Sequence, residues 1–258
     1  MRLLRKAWWR VPAANPVGAR HRCVMCGHRI SRFLPYRDGS GALPAVLQAQ
    51  DVIGSDVDNF QCPVCGCQDR ERHLLQYLVA SGRLAAMGGM RVLHFAPERH
   101  LGRRLASVGL SRYVLADLHP RSRGVRRLDL TAIDLPDAQF DLVIANHVLE
   151  HVADDQRALS EIHRVLRPGG SAILQTPYAA RLGRTVEDPS IITDEARLQA
   201  YGQEDHCRLY GMDLVHRVVA AGFVSRVATH AELLPHIDAA MTGVNPREPF
   251  LRFGKPLQ

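Results

Sequence analysis

The sequence predicts an α/β fold, a doubly wound and mostly parallel sheet with a small cysteine-bearing module in front of it. Three observations carry this. From position 91 short apolar runs alternate with amphipathic helical stretches, and five of the six cysteines crowd into positions 23–67. The 258 residues are also enough for one full α/β domain plus something small. The predicted strands are Arg91–Ala96, Tyr113–Asp117, Phe140–Asn146 and Ser171–Thr176. Between them Leu101, Leu105 and Val108 form one helical stripe, and Ala158, Leu159, Ile162, Val165 and Leu166 form another that ends at Pro168-Gly169-Gly170. Right-handed crossovers then place helices on both faces of the sheet.

The predicted layout is a partly disordered basic leader over positions 1–20, a metal-binding module over 21–70, a linker helix over 71–90 and the α/β domain over 91–258, with an insertion at 178–210. Formal net charge is +7, and every charged residue before Asp38 is basic. Such a front end can meet phosphates or can simply be solvated, so nucleic acid stays open as a partner. Arg5, Lys6 and Arg10 interrupt the first apolar residues, so no export signal is read. With no apolar run long enough to span a bilayer, the expected location is the cytoplasm.

Cys23-Val-Met-Cys26 and Cys62-Pro-Val-Cys65 are two pairs at metal-ligand spacing. Each turns two thiolates toward one point, and two such turns complete a closed tetrahedron suited to structural Zn2+ in a zinc-ribbon or knuckle module. Two disulfides are the rival, disfavoured in a reducing compartment. Gly27 and Gly66 follow the second cysteine of each pair, where a left-handed turn is needed. Cys67, His28 and His73 lie near but are surplus to four ligands, and Cys207 stands alone. The segment 38–59 is expected to be loop with one short helix over 45–50, and Arg72 to Leu84 to be a helix stopped by Gly82.

In a doubly wound sheet ligands bind beyond the carboxyl ends of the strands, so strand-end residues are the candidates. The first strand ends in His94-Phe95-Ala96-Pro97-Glu98 and the second in Asp117, placed where a carboxylate can accept both hydroxyls of a ribose. An acid there is equally what a helix cap looks like. Further on, the stretch from Leu128 to Pro177, with "FDLVIANHVLEHV", "EIHRVLRPGG" and a final "TP", resembles the class I S-adenosylmethionine-dependent methyltransferase core. The front end, with "CPVCGCQDRERHLLQYL", resembles zinc-ribbon-fused bacterial members.

The resemblance covers about positions 91–254 and implies a Rossmann-like sheet whose last strand, in "EPFLRFGKP", runs antiparallel. It further implies S-adenosylmethionine as cofactor. Asp117 with Leu118 would hold the ribose, Asp129 and the backbone of Leu130 would meet the adenine, and Asn146 and His147 would line the methionine end. Phe95, Ala96, Pro97 and Glu98 would form the first cofactor loop, where His94, Ala96, Glu98 and His100 replace the family's Asp and three glycines. The insertion carries Asp205-His206-Cys207-Arg208, similar to the "EDHVRLY" of related methyltransferases. His206 is the candidate base or acceptor-positioning group, Asp205 would hold its tautomer and Arg208 would orient an anionic acceptor. Asp205 and His206 as helix caps are the structural alternative, and His151 is expected behind the site. The function expected is methylation at oxygen of a small molecule or glycan. An rRNA or tRNA base methyltransferase and an inactive S-adenosylmethionine-binding scaffold are the alternatives, and sparse aromatics (Phe33, Tyr36, Phe60) count against the former.

Overall fold

A computed structural model describes residues 18–257. Positions 1–17, most of the expected leader, lie outside the described residues. The front end holds β1 (His21–Arg22), β2 (Arg29–Ile30), α1 (Ala45–Ala49) and β3 (Val52–Ile53), then α2 (Asp69–Ala80) and α3 (Arg83–Ala86). The α/β part follows as β4 (Arg91–Phe95), α4 (Arg99–Ala106), β5 (Arg112–Asp117), β6 (Arg126–Arg127), β7 (Phe140–Ala145), α5 (Asp155–Val165) and β8 (Leu166–Ile173). The chain closes with β9 (Tyr178–Ala179), α6 (Asp194–Tyr201), α7 (Leu214–Ala220), β10 (Val224–Ser225), α8 (His230–Leu233), α9 (Ala239–Thr242) and β11 (Arg252–Gly254).

Seven strands form one sheet in the order β10-β11-β8-β7-β4-β5-β6. Strands β6, β5, β4, β7 and β8 are parallel, and β11 inserts antiparallel beside β8, as expected for the last strand. The strand order reverses between β4 and β7, which makes their carboxyl ends the switch point where a ligand fits.

The two-residue period of the strands divides the core. Leu93, Phe95, Val143, Ala145 and Ala172 face one layer with Ala158, Leu159, Ile162 and Val165 of α5 and Leu214 and Val218 of α7. Val92, Leu142, Ile144 and Ile173 face the other, against Leu74, Leu75, Tyr77 and Leu78 of α2 and Leu101 and Leu105 of α4. Each face is thus covered by helices, the condition for a parallel sheet to be stable.

Helix α2 starts three residues before the helix expected from Arg72, where Glu71 reaches back to accept the Gln68 N–H at 2.8 Å, one arm of a capping box. Gly82, at φ 68°, ends the helical run, and α3 restarts beyond it. The helix does more than link. One face lies in the sheet's core, and its buried Arg72 donates to the carbonyls of Asn59, Phe60, Cys67, Thr242 and Gly243. The cysteine module and the C-terminal segment are therefore joined through one guanidinium.

The segment 38–59 also departs from a free loop. Strand β3 pairs with β9 in the insertion, with Val52 opposite Ala179 and Ile53 opposite Tyr178. Val46, Leu47 and Val52 pack on Ala179, Tyr201 and Leu209, and a Cβ at Gly202 would collide with Leu47. Arg37–Glu204 and Arg247–Asp51 ion pairs close the edges. Front end and insertion together form a cover on the C-terminal side of the sheet.

Candidate functional site

The carboxyl ends of β4 and β7 are each followed by a non-glycine residue in the left-handed region, Ala96 at φ 46° and His147 at φ 55°. Such backbone is strained for residues with a Cβ, and surroundings must hold it there. Ala96 thus takes the conformation a glycine would otherwise supply, with its N–H on the Ala116 carbonyl at 2.8 Å. The first loop is glycine-poor yet makes the turn. Its helix α4 is tied to the front end by Glu71, whose Oε1 accepts from the N–H groups of His100 and Leu101.

His94 is buried between Tyr113, 2.8 Å from its Nδ1, and Glu98 Oε2, 3.1 Å from its Nε2. A tyrosine hydroxyl donating to Nδ1 leaves Nε2–H to donate to Glu98. Burial raises the Tyr113 hydroxyl's pKa, so it keeps its proton. Burial pushes the Glu98 carboxyl up, but His94, the nearby Arg70 and a backbone hydrogen bond together hold it below the ordinary range. The other oxygen of Glu98 accepts from Asn146 Nδ2.

That leaves Asn146 Oδ1 buried without a partner among the described residues, and Arg70 Nε is in the same condition. Arg70, Ala96, Pro97, Glu98, Arg99 and His100 line a cavity of about 450 Å³ together with Gln61, Cys65 and Gly66. An orphaned acceptor and an orphaned donor flank Glu98. Sequence reading missed Arg70, because a basic residue opening a helix behind a cysteine pair looks like surface charge.

At the end of β5, Asp117 uses Oδ1 to accept the His119 N–H at 2.8 Å, and Leu118 stands 47% exposed beside it. An apolar side chain held out at the rim of a strand end offers a flat face to a ligand. Asp129 turns Oδ1 to the N–H and hydroxyl of Thr131, both at 2.8 Å, while Leu130 is buried.

Behind β7 lies a polar chain that sequence reading did not find. His147 Nε2 is 3.2 Å from Glu248 Oε1 and its Nδ1 is 3.5 Å from Glu150 Oε1. Glu248 continues to His73 at 3.1 Å, and His73 Nε2 to His230 Nδ1 at 3.0 Å. Burial disfavours the His147 cation, but hydrogen bonds to Glu150 and Glu248 outweigh it and lift the imidazole to about 10. Burial likewise opposes ionised Glu150, and His147 overrides it, bringing Glu150 to about 2. Glu248 is lowered too, against its burial, by His147 and His73.

The sign of the His147 shift gives a prediction. A histidine whose folded pKa exceeds its unfolded value of about 6.5 contributes stability in full below that value and loses it as pH rises through about 10. His147→Gln is therefore expected to destabilise more at pH 6 than at pH 10 in urea unfolding. An equal cost at both pH values would contradict a charged His147.

In the insertion the expected trio is separated. Asp205 Oδ2 lies 3.3 Å from His151 Nδ1, and its Oδ1 takes the Gln203 amide, so Asp205 pairs with His151 and not with His206. His206 Nδ1 is 3.3 Å from the Tyr201 carbonyl. Burial lowers the His206 pKa, against the pull of Glu150. Arg208 is buried and offers no free fork to an acceptor. Its guanidinium donates to the carbonyls of Leu149, Val152 and Ala153 and to Glu187, because the insertion must be fastened to the turn after β7. His151 ends the 3₁₀ turn Leu149–His151 that follows β7.

At the front, the thiols of Cys23, Cys26, Cys62 and Cys65 lie within 4.8 Å of one another. Sulfurs at about 2.3 Å from one tetrahedral ion are roughly 3.8 Å apart. The Cys23–Cys65 and Cys26–Cys62 sulfurs are each 3.9 Å apart, so the set fits a soft divalent ion. Gly27 and Gly66 take φ 79° and 82°, and their N–H groups close each turn on the carbonyls of Cys23 at 2.7 Å and Cys62 at 2.9 Å. Cys67 is buried with its sulfur 3.4 Å from that of Cys23. His73 lies elsewhere, on Glu248.

The sheet order and the loops at its switch point are those of a doubly wound α/β domain that binds its ligand beyond the strands' carboxyl ends. Residues 84–174 match the family described as methyltransferase domain. A 63-residue stretch is 41% identical to a probable S-adenosylmethionine-dependent methyltransferase of Mycolicibacterium smegmatis, covering 23% of this chain and 24% of that protein. A 115-residue stretch is 28% identical to the arsenite methyltransferase of Aquipseudomonas alcaligenes, covering 44% and 31%. The solved S-adenosylmethionine-dependent methyltransferase of Mesorhizobium loti aligns over 69% of this chain and 96% of its own, at 18% identity and a TM-score of 0.45. The aligned stretches span only about a quarter to a third of the two curated relatives. Over residues 84–174 the chain is thus similar to methyltransferase domains, among them S-adenosylmethionine-dependent ones. Among the described residues no helix is long and apolar enough to cross a membrane.

Proposed function

We propose that the protein is a cytoplasmic S-adenosylmethionine-dependent methyltransferase that methylates a hydroxyl of a small molecule or glycan. The observation that carries this is the pair of buried, unpartnered atoms at the switch point, Asn146 Oδ1 and Arg70 Nε. An unmet acceptor and an unmet donor are costly inside a protein, and the zwitterionic end of S-adenosylmethionine would satisfy both. Its ammonium suits Asn146 Oδ1 and the Glu98 carboxylate, and its carboxylate suits Arg70. Phe95, Ala96 and Pro97 shape the loop beneath, and His147 backs it. Asp117 would accept the ribose hydroxyls, with Leu118, Asp129 and Leu130 toward the adenine. When bound, the cofactor supplies an electrophilic methyl group, and the chain's task is to hold an acceptor in line and exclude water.

The acceptor side belongs to the insertion. His206, neutral near pH 7 and half-buried, is the acceptor-positioning group, with Asp205 acting on it only through His151. Arg208 braces the insertion. The cover made by segment 38–59 and the insertion supplies the dry walls. Incubating the purified protein with labelled S-adenosylmethionine and fractionated small-molecule and glycan extracts, then weighing products, tests the reading. Label moving into RNA instead would overturn the acceptor class.

The four-cysteine cluster is assigned to structural Zn2+, since four thiolates leave no open position for chemistry. One zinc per chain is the expected metal content of protein purified without chelator. Zinc removal should loosen the front module, whose small core of Cys23, Ile30, Phe33, Cys62 and Cys67 is built around the cluster. Unchanged zinc content in Cys62→Ser would contradict the assignment.

A further inference from the structure

We infer that Glu150, His151 and His206 form a second metal site, which holds a divalent transition cation and presents it to the oxygen of the methyl acceptor. This rests on the methyltransferase reading and deepens it, turning His206 from a lone positioning group into a ligand. One donor atom from each of the three side chains lies within 4.8 Å of the others. Two imidazoles and one carboxylate form a donor set suited to Mn2+, Fe2+ or Zn2+, and three protein ligands leave positions open for an exogenous oxygen.

The hydrogen bonds behind the rings supply an independent argument. His151 Nδ1 is 3.3 Å from both the carbonyl and the carboxylate of Asp205. His206 Nδ1 is 3.3 Å from the Tyr201 carbonyl. A carbonyl can only accept, so each Nδ1 carries its proton and each Nε2 keeps its lone pair. That is the tautomer in which metal-bound histidines are held, by an acceptor on the far nitrogen. Among the described residues neither Nε2 has a hydrogen-bond partner.

The third donor is equally braced. Glu150 Oε2 accepts the Thr176 hydroxyl at 2.8 Å, and its backbone carbonyl accepts the Cys207 N–H at 2.8 Å. The Arg208 guanidinium holds the carbonyls on either side of Glu150 and His151. The two segments that carry the ligands are thus fixed to each other. The rings now meet edge to face, with centroids 4.8 Å apart at 80°. Donors about 2.1 Å from one ion lie about 3.0–3.4 Å apart, so side-chain rotations of the order of 1–2 Å close the set.

A cation there would lower the pKa of a coordinated acceptor hydroxyl as it does that of bound water. The hydroxyl proton leaves to solvent. The oxygen's electron pair forms a bond to the methyl carbon, and the carbon–sulfur pair returns to sulfur. Sulfonium and alkoxide become neutral thioether and methyl ether.

Titration with Mn2+ of full-length protein holding a single zinc per chain, followed by electron paramagnetic resonance of the free ion, tests the site, because Mn2+ competes poorly for thiolates. One Mn2+ per chain is expected, weakened at least 10-fold in His206→Ala and in His151→Ala, and unchanged in the exposed control His216→Ala. Binding of S-adenosylhomocysteine by calorimetry, unchanged within about twofold in the same variants, shows that they are folded. Wild-type protein that binds S-adenosylhomocysteine but no Mn2+, or equal Mn2+ affinity in folded His151→Ala and His206→Ala, would overturn the site while leaving the methyltransferase. Mn2+ bound by a protein that binds no S-adenosylhomocysteine would overturn the role toward an acceptor.

Discussion

Replacing Arg72 with methionine is expected to cost about 3 kcal/mol or more and to lower the melting temperature by roughly 6–12 °C. Arg72 is fully buried, and its Nε, Nη1 and Nη2 donate to five carbonyls, those of Asn59, Phe60, Cys67, Thr242 and Gly243. The guanidinium also stacks 3.9 Å over the Phe33 ring. Methionine fills much of the volume and satisfies none of those acceptors, and each buried carbonyl left without a donor costs about 1–3 kcal/mol. Lysine should not rescue, because one ammonium cannot reach five acceptors spread around a planar fork. Since Asn59, Phe60 and Cys67 belong to the cysteine module, the variant should also lose zinc to a chelator faster. A melting temperature within about 2 °C of wild type would show that Arg72 is not the joint between module and sheet.

His206→Ala is expected to cut turnover by about 10²–10⁴-fold while leaving cofactor affinity within about twofold. The split follows from position. His206 touches the Tyr201 carbonyl and sits with Glu150 and His151, whereas the expected cofactor contacts Glu98 and Asp117 lie just past the end of β4 and at the end of β5. Asp205→Asn should cost about 10-fold, since Asp205 acts on the cluster only by orienting His151. Arg208→Met should instead lower stability, because that side chain holds three carbonyls and Glu187. An active His206→Ala enzyme would remove the residue from the reaction and leave proximity alone to drive transfer.

The sheet and the cysteine cluster were legible because their signals are local. Strand β7 and helix α5 carry periods of two and 3.6 within a dozen residues, and each C-x-x-C pair declares its ligand geometry in four. What failed to show was long-range. Leu47, in the expected short helix, and Val52, in the expected loop, show no partner until the insertion, more than 120 positions on, covers them. His147 reads as a lone strand-end histidine, and its partner Glu248 lies 101 residues away. The Asp205-His206-Arg208 reading erred for a related reason. Adjacency in sequence suggested one cluster, but in a turn neighbouring side chains diverge, so Asp205 reached His151 and Arg208 turned inward to carbonyls. The glycine-poor first loop departs from the family pattern in composition, and its conformation was not legible: Ala96 adopts the left-handed turn and Glu98 is held by His94 and Asn146.

The central claim, that the switch point is a S-adenosylmethionine site, is tested most directly by titration calorimetry with S-adenosylhomocysteine. One site per chain is predicted, weakened about 10–100-fold by Asp117→Ala through the loss of two charge-assisted ribose hydrogen bonds, and also weakened by Arg70→Met. Folded wild-type protein that gives no heat with S-adenosylhomocysteine or S-adenosylmethionine, or full affinity in both variants, would contradict it.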